Sequence, residues 1–118
     1  SNPNIFSFPV PCPEGDPIIA SVTTDAAGSP PSIAAGADLT VNWADVLEPT
    51  IGDQLYLNAN DGIRFNTSPL AQHAPGTGAG SGTFAFTIPA LTTPGSYVIQ
   101  YVWSNTSLVA TSAPFTVT

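Results

Sequence analysis

The side chains that most often carry catalysis or bind metals are scarce in this chain of 118 residues. It has one histidine, His73, and one cysteine, Cys12. A zinc site needs three or four nitrogen or sulfur ligands, which these two residues cannot supply. A serine triad would need His73 between an activated serine and a carboxylate, and the sequence shows no such pairing. We therefore expect no enzymatic activity, no metal and no cofactor.

The carboxylates offer one candidate cation site. Asp38, Asp45, Glu48 and Asp53 could meet at one end of a folded domain and bind calcium weakly. The run Asn60-Asp61-Gly62 resembles part of a calcium loop, but an EF-hand has its glycine at position six and a closing glutamate, and both are missing here. Turn chemistry explains this run better, since Asn, Asp and Gly favour tight turns.

Two features could involve carbohydrate. Asn66-Thr67-Ser68 and Asn105-Thr106-Ser107 match the acceptor pattern for N-linked glycans, although chance gives one or two such matches in a chain this rich in Ser and Thr. Trp103 and Tyr101, with Tyr56, could form an aromatic strip on which a sugar stacks. Packing in a core is the competing use of these rings.

The overall charge excludes several partners. The chain has one Lys or Arg (Arg64) against eight Asp and Glu, which gives a net charge of −7, and only 8% of its residues are charged, where about 25% is typical. Nucleic acid and anionic membrane surfaces are poor partners, because both need clustered cations. No apolar run reaches the roughly 18 residues of a membrane-spanning helix. A surface made soluble by Ser and Thr favours an extracellular location, secreted or at the cell surface.

The elements that must position these residues read as β-strands throughout. Alternating apolar residues and regularly spaced turns predict about seven strands within residues 18–118 and no helix. This pattern is typical of an all-β, two-sheet sandwich. Residues 66–82, which contain His73, are predicted as a long loop, and Ile63–Phe65 as a short returning strand. The predicted strands are Ile18–Thr24, Asp38–Trp43, Gln54–Asn58, Thr83–Ile88, Tyr97–Trp103, Ser107–Thr111 and Ala113–Val117. The predicted core residues are Trp43, Leu55, Leu57, Phe84, Phe86, Tyr97 and Ile99.

Four short motifs resemble those of immunoglobulin-like and fibronectin type III-like modules, including bacterial Ig-like domains and the N-terminal domain of purple acid phosphatases. The resemblance spans residues 18–118, and implies an Ig-like fold without any catalytic activity. It also places Tyr97 where a tyrosine corner would tie its hydroxyl to the backbone, although a plain core tyrosine is an equal alternative. The motifs are Val41-Asn42-Trp43, Asp53-Gln54-Leu55-Tyr56-Leu57, Gly95-Ser96-Tyr97 and Ser112-Ala113-Pro114-Phe115-Thr116-Val117.

Residues 1–17 form a separate unit, an apolar strand followed by a proline-rich tether. Ile5, Phe6, Phe8 and Val10 make the strand apolar, and three prolines within residues 11–17 favour an extended tether. The extra strand could pair within its own domain, fray, or insert into the sheet of a neighbouring copy.

Head-to-tail insertion would build a filament. We therefore expect a non-enzymatic extracellular structural or adhesion protein, assembled from copies of itself through Ile5, Phe6, Phe8 and Val10. The alternative is a carbohydrate- or protein-binding accessory module of a larger secreted protein, with cell-surface glycans as partners.

Overall fold

The computed structural model describes residues 20–61 and 69–118, and its regular elements there are all β-strands. The all-β sandwich predicted from the alternation of apolar residues is confirmed. Within these residues there is no helix with the length and apolarity that crossing a membrane requires. The strands are β1 (Ser21–Thr24), β2 (Ser32–Ile33), β3 (Asp38–Ala44), β4 (Gln54–Ala59), β5 (Ala71–His73), β6 (Gly82–Thr87), β7 (Gly95–Trp103), β8 (Ser107–Thr111) and β9 (Phe115–Val117).

The strands form two sheets that pack face to face. The smaller has the order β1-β3-β6, and the larger has the order β2-β9-β7-β4-β5, with β8 also paired to β7. β8 and β9 divide one edge of β7 between them, since β8 pairs with its second half and β9 with its first. Residues 112–114 separate β8 from β9, which correspond to the predicted strands Ser107–Thr111 and Ala113–Val117. β2 lies parallel to β9, outside it in the sheet.

The core lies between the sheets and follows the predicted alternation. On β3, Leu39, Val41 and Trp43 are buried, and Trp43 meets Tyr101 across the sandwich with ring centroids 5.9 Å apart. Six of the seven predicted core residues belong to this buried cluster, and the seventh, Phe84, is half-buried and packs against it. Burial of each large apolar side chain is worth roughly 1.5–3 kcal/mol, so the alternation alone accounts for much of the stability.

The backbone tie predicted for Tyr97 is confirmed. Its hydroxyl donates to the carbonyl oxygen of Thr93 at 2.5 Å, which fastens the start of β7 to the loop before it. The opposite face of the same strand is also covered, because Val98, Gln100 and Val102 are buried although they point away from the core. On this face the Asn58 amide donates to Gln100 Oε1 at 2.8 Å. β7 is thus a central strand that is buried on both faces from Tyr97 to Val102.

Two short strands differ from the prediction. β5, with His73, lies inside the stretch predicted as a loop, and β2 was not predicted. Neither has apolar alternation of its own: β5 is held by pairing with β4 and by the His73 ring, which meets Phe86 with centroids 4.8 Å apart. The predicted returning strand Ile63–Phe65 and the predicted unit of residues 1–17 lie outside the described residues.

The strand registers define two ends of the sandwich. At the upper end, Ser21 pairs with Ala44, Trp43 with Gly82, and Gln54 with Val102. At the lower end, Asp38 pairs with Thr87 and Gly95 with Val117. The chain therefore enters the described sandwich at the upper end and leaves it at the lower end. The upper-end loops are 45–53, 74–81 and 104–106, and the lower-end loops include 25–31 and 88–94.

Candidate functional site: a groove along one side of the sandwich

The two sheets leave a gap on the side where β1 faces β8. Among the described residues, β1 pairs only with β3, and β8 pairs only with β7. Each strand therefore presents a backbone edge to the gap. The lower half of the same side is different, because β2 covers the edge of β9 there. An unpaired strand edge is a template on which another strand can add.

Three connected cavities fill this gap from the upper end to the lower. Their volumes are about 580, 350 and 210 Å³. The first and second share Ala20 and Val109, and the second and third share Val22. They therefore lie next to one another along β1 and β8, and we call the three together the β1/β8 groove.

The lining of the β1/β8 groove is mainly apolar. Val22 on β1 is almost fully buried, and Leu108, Val109 and Ala110 on β8 are consecutive half-buried residues. A β-bulge lies within this run. Val102 pairs with Leu108 and Tyr101 pairs with Ala110, so Val109 is the extra residue on β8. An edge strand with one solvated face normally alternates apolar and polar residues, so three apolar residues in succession indicate a surface suited to further packing.

The upper mouth of the groove carries an aromatic ring and two carboxylates. The cavity there is lined by Trp103, Asp45, Glu48 and the exposed side chain of Leu47. The indole nitrogen of Trp103 donates to the carbonyl oxygen of Glu48 at 2.7 Å, which fixes the ring against the loop 45–53. The mouth is therefore partly apolar and acidic, and it disfavours an occupant with carboxylates of its own.

Asp53 holds this end of the groove in place. Its carboxylate accepts hydrogen bonds from the hydroxyl of Thr50 at 2.7 Å, from the Tyr101 hydroxyl and from the backbone N–H of Ser104 at 2.7 Å. Ser104 follows Trp103 directly, so Asp53 positions the turn that carries the Trp103 ring and begins β8. The carboxylate is only 2% exposed.

The same contacts set the protonation states at this site. Burial opposes ionisation of Asp53, but hydrogen bonds from Thr50, Tyr101 and Ser104 outweigh it and hold the pKa of its carboxyl below the ordinary 3.8. Burial, together with the neighbouring Asp53 carboxylate, raises the pKa of the Tyr101 phenol well above its usual value. Asp53 is thus an ionised acceptor saturated by structural donors, which suits it to support rather than to proton transfer.

The predicted carbohydrate residues are placed differently from one another. Trp103 lies at the groove mouth and is partly accessible, whereas Tyr101 is 2% exposed and points into the core. Tyr56 is buried on the other face of its sheet, so Trp103 is the one ring of the three that reaches the groove. Asn105 is exposed in the turn between β7 and β8, where its side-chain oxygen accepts a hydrogen bond from the Tyr56 hydroxyl. Asn66 lies outside the described residues.

The calcium hypothesis for the four carboxylates is wrong. Asp38 lies at the lower end and accepts a hydrogen bond from Thr87 at 2.7 Å, while Asp45, Glu48 and Asp53 lie at the upper end. Residues 20–61 and 69–118 contain no group of three or more His, Cys, Asp or Glu side chains able to hold a metal ion. The seven-residue strand β3 separates the two ends, so these carboxylates cannot converge.

Sequence reasoning missed the groove itself. It depends on which strand edges remain unpaired, and that is a property of the sheet order rather than of any one segment. The signal available in the sequence is the run of three consecutive apolar residues Leu108-Val109-Ala110 in the predicted strand Ser107–Thr111. The predicted interface residues Ile5, Phe6, Phe8 and Val10 lie outside the described residues.

Comparisons with known proteins do not assign the chain to a family. No protein-family model matches it, and a search of curated proteins finds no matching sequence.

Proposed function

We propose that this chain is a non-enzymatic structural or adhesion protein, acting as the subunit of an extracellular filament in which each copy donates its N-terminal strand to a neighbour. One observation carries the proposal: among the described residues, β1 and β8 each leave one backbone edge unpaired beside a groove whose upper and lower cavities are mainly apolar, in a chain whose sequence also has the apolar run Ile5–Val10. A groove and a segment of matching chemistry are the two halves of an interface formed by strand addition.

An immunoglobulin-like identity for the sandwich is part of the proposal. In its support, the chain runs from the three-stranded sheet into the edge of the larger one as β2, beside the final strand. The hydroxyl of Tyr97 is also tied to the backbone four residues upstream, at the start of a central strand, as in a tyrosine corner. Ig-like sandwiches serve as rigid scaffolds, and such a scaffold suits a structural subunit.

The extracellular location rests on composition. With 8% charged residues and a net charge of −7, the surface depends on Ser, Thr and other neutral polar groups. Asn105 is exposed in a turn, where a glycan could be attached. The same composition makes nucleic acid an unfavourable partner, because one cationic side chain cannot form a phosphate-binding patch.

The test is assembly of the protein with and without its N-terminal segment. Deletion of residues 1–11 should abolish filaments seen by electron microscopy and remove the rise in light scattering. The full-length variant Phe6→Ser/Phe8→Ser should behave similarly, whereas Ser1→Ala/Asn2→Ala should assemble like the wild type. Assembly that is unchanged after the deletion would contradict the proposal.

The second candidate function is carbohydrate binding at the groove mouth. It is favoured by the accessible ring of Trp103 beside Asp45 and Glu48 in a cavity of about 580 Å³, a combination of stacking surface and hydrogen-bond acceptors. A glycan array should then show binding that Trp103→Ala removes and that deletion of residues 1–11 leaves intact. That second result separates this function from filament assembly.

A further inference from the structure

We propose that the β1/β8 groove is the acceptor for residues Ile5–Val10 of a second copy, and that the donated strand lies parallel to β8, in line with β2. This inference rests on the proposed function and names its acceptor surface and its polarity. The side of the sandwich that would receive the strand already accepts one in its lower half, where β2 runs parallel to β9. The donated strand would continue that position upward along β8.

The dimensions of the donor and of the acceptor agree. β8 has five residues, and a strand rises about 3.3 Å per residue, so its open edge is roughly 17 Å long. The six residues Ile5–Val10 would span roughly 20 Å when extended. No residue among the first ten has a charged side chain, so the segment brings no carboxylate to the mouth formed by Asp45 and Glu48.

The side-chain pattern of the donor also suits this position. In a strand, Phe6, Phe8 and Val10 share one face, and Ile5, Ser7 and Pro9 share the other. With the aromatic face turned into the groove, the backbone of Phe6, Phe8 and Val10 can pair with β8. Pro9 then occupies an alternate position whose missing N–H is not needed for pairing with β8.

The polarity follows from where the chain enters the domain. β1 begins at the upper end, so in the proposed filament the donated segment would pass from that end to a copy stacked above. Residue 10 would enter the neighbour's groove from its lower end, and residue 5 would reach the upper mouth. The donor then runs downward from residue 5 to residue 10, in the direction of β8, which descends from Ser107 to Thr111.

The tether is long enough for this arrangement. The lower half of the acceptor edge extends from Thr111 to Val117, where β2 pairs with Thr116 and Val117, and is roughly 20 Å long at about 3.3 Å per residue. Residues 11–19 span roughly 28 Å at about 3.1 Å each in a proline-rich extended form. Filling the groove of the same copy would instead require the chain to reverse direction within this segment. Pro11, Pro13 and Pro17 disfavour such a reversal, because each proline fixes the backbone φ angle near an extended value.

Directed cross-linking of full-length protein tests the inference. In a Cys12→Ser background, donors carrying Ile5→Cys or Pro9→Cys are mixed with separate acceptors carrying Ser107→Cys or Thr111→Cys and treated with a flexible bis-maleimide. Its spacer is needed because Ser107 lines the groove mouth whereas Ile5 would lie on the outer face of the donated strand. Both acceptor positions are exposed, so the substitutions should leave the sandwich folded, which a thermal melt would verify. The matched control is Gln72→Cys, exposed on β5, the opposite edge strand of the same sheet.

We expect two specific cross-links between copies, from position 5 to 107 and from position 9 to 111. Thiols held together in an assembly reach effective concentrations near the millimolar range, so these pairs should react about 10-fold or more faster than either donor with Gln72→Cys. The exchanged pairs, 5 with 111 and 9 with 107, should be slow. If the exchanged pairs react faster, the parallel polarity is wrong.

Two further outcomes would overturn the acceptor assignment while leaving strand donation intact. They are cross-links to Gln72→Cys in preference to both β8 positions, and assembly that depends on residues 1–11 without any β8 cross-link. Cross-links confined to single chains carrying both cysteines would overturn donation between copies. Assembly that does not need residues 1–11 would instead refute the proposed function, so the two failures are distinguishable.

Discussion

Asp53 is the residue on which the upper end of the sandwich depends. Its carboxylate joins three parts of the chain, since Thr50 precedes it by three residues while Tyr101 and Ser104 follow it by 48 and 51. Each of these bonds has a charged acceptor, and such bonds contribute about 1.5–3 kcal/mol. The position of Trp103, and with it the shape of the groove mouth, therefore follows from one buried anion.

Replacement of Tyr101 by Phe should lower the free energy of unfolding by about 1.5–3 kcal/mol, because the buried carboxylate loses a donor. Tyr97→Phe is the matched control, since it removes a hydroxyl that donates to a neutral carbonyl, a bond worth about 0.5–1.5 kcal/mol. Urea unfolding of the three proteins measures the difference. Equal losses for the two variants would show that the charge on Asp53 adds nothing.

The lowered pKa of Asp53 predicts a specific dependence of stability on pH. A carboxyl whose pKa is lower in the folded state stabilises the fold fully above the unfolded value of 3.8, and this contribution disappears as the pH falls through the folded-state pKa. Acid unfolding of Asp53→Asn should therefore depend less steeply on pH below about 4 than that of the wild type. Parallel unfolding curves for the two proteins, measured by circular dichroism from about pH 7 to about pH 2, would contradict this assignment.

At the scale of the element, β3 and β6 pair so closely that the indole ring of Trp43 on β3 lies over the backbone of Gly82 on β6. Trp43 pairs with Gly82, and a Cβ added to Gly82 would lie 2.6 Å from Cζ2 of the indole. The same indole donates to the carbonyl oxygen of Ala79 at 3.0 Å. Gly82 is thus required by packing, which is a reason for glycine inside a strand that sequence alone does not reveal.

Gly82→Ala should therefore destabilise the protein by about 1–3 kcal/mol, as overpacking generally does. Gly52→Ala is the control, because the nearest atom to its added Cβ is the Thr50 hydroxyl at 3.7 Å, and an effect within about 0.5 kcal/mol is expected. Thermal unfolding monitored by tryptophan fluorescence would measure both changes. A neutral Gly82→Ala would mean that Trp43 can move without loss.

A strand could be predicted from the sequence when its own residues alternate between apolar side chains that face the core and other side chains that do not. β3, β4, β6 and β7 each carry core-facing apolar residues at every second position, so their sequences predict them directly, although β4 and β7 are buried on both faces. β2 and β5 have two and three residues and exist because of their partners β9 and β4, which no local pattern can show. The Asp53 site was missed for the same reason, since its donors Tyr101, on β7, and Ser104, in the turn after it, are distant in sequence, and only Thr50 lies close to Asp53 in the chain.

At the scale of the whole molecule, acidity would act against the proposed assembly. Each copy has a net charge of −7 with one Lys or Arg, so neighbouring copies in the proposed filament would repel. The groove and the apolar N-terminal segment would provide the attraction, and apolar contacts depend little on charge. The range of the repulsion is set by salt, since the Debye length falls from about 30 Å at 0.01 M to about 8 Å at 0.15 M.

Assembly should accordingly be faster and more complete at about 0.15 M salt than at about 0.01 M, because screening reduces repulsion and leaves apolar contacts intact. Light scattering at fixed protein concentration would measure this, with the Phe6→Ser/Phe8→Ser variant as a control that does not respond. Filaments that dissolve as salt is added would indicate an interface held by ion pairs and would contradict the apolar one.

The parallel pairing of β2 with β9 also gives the domain a mechanical direction. The described sandwich begins at residue 20 at the upper end and reaches Thr118 at the lower end. A force applied between these two residues would pull β2 and β9 in opposite directions along their own axes. The backbone bonds from Thr116 to Pro31 at 2.9 Å, Thr118 to Ile33 at 2.9 Å and Ala35 to Thr118 at 3.2 Å would then be sheared together. A pair loaded in shear must lose all its bonds at once, so this seam would resist stretching better than a hairpin that opens one bond at a time.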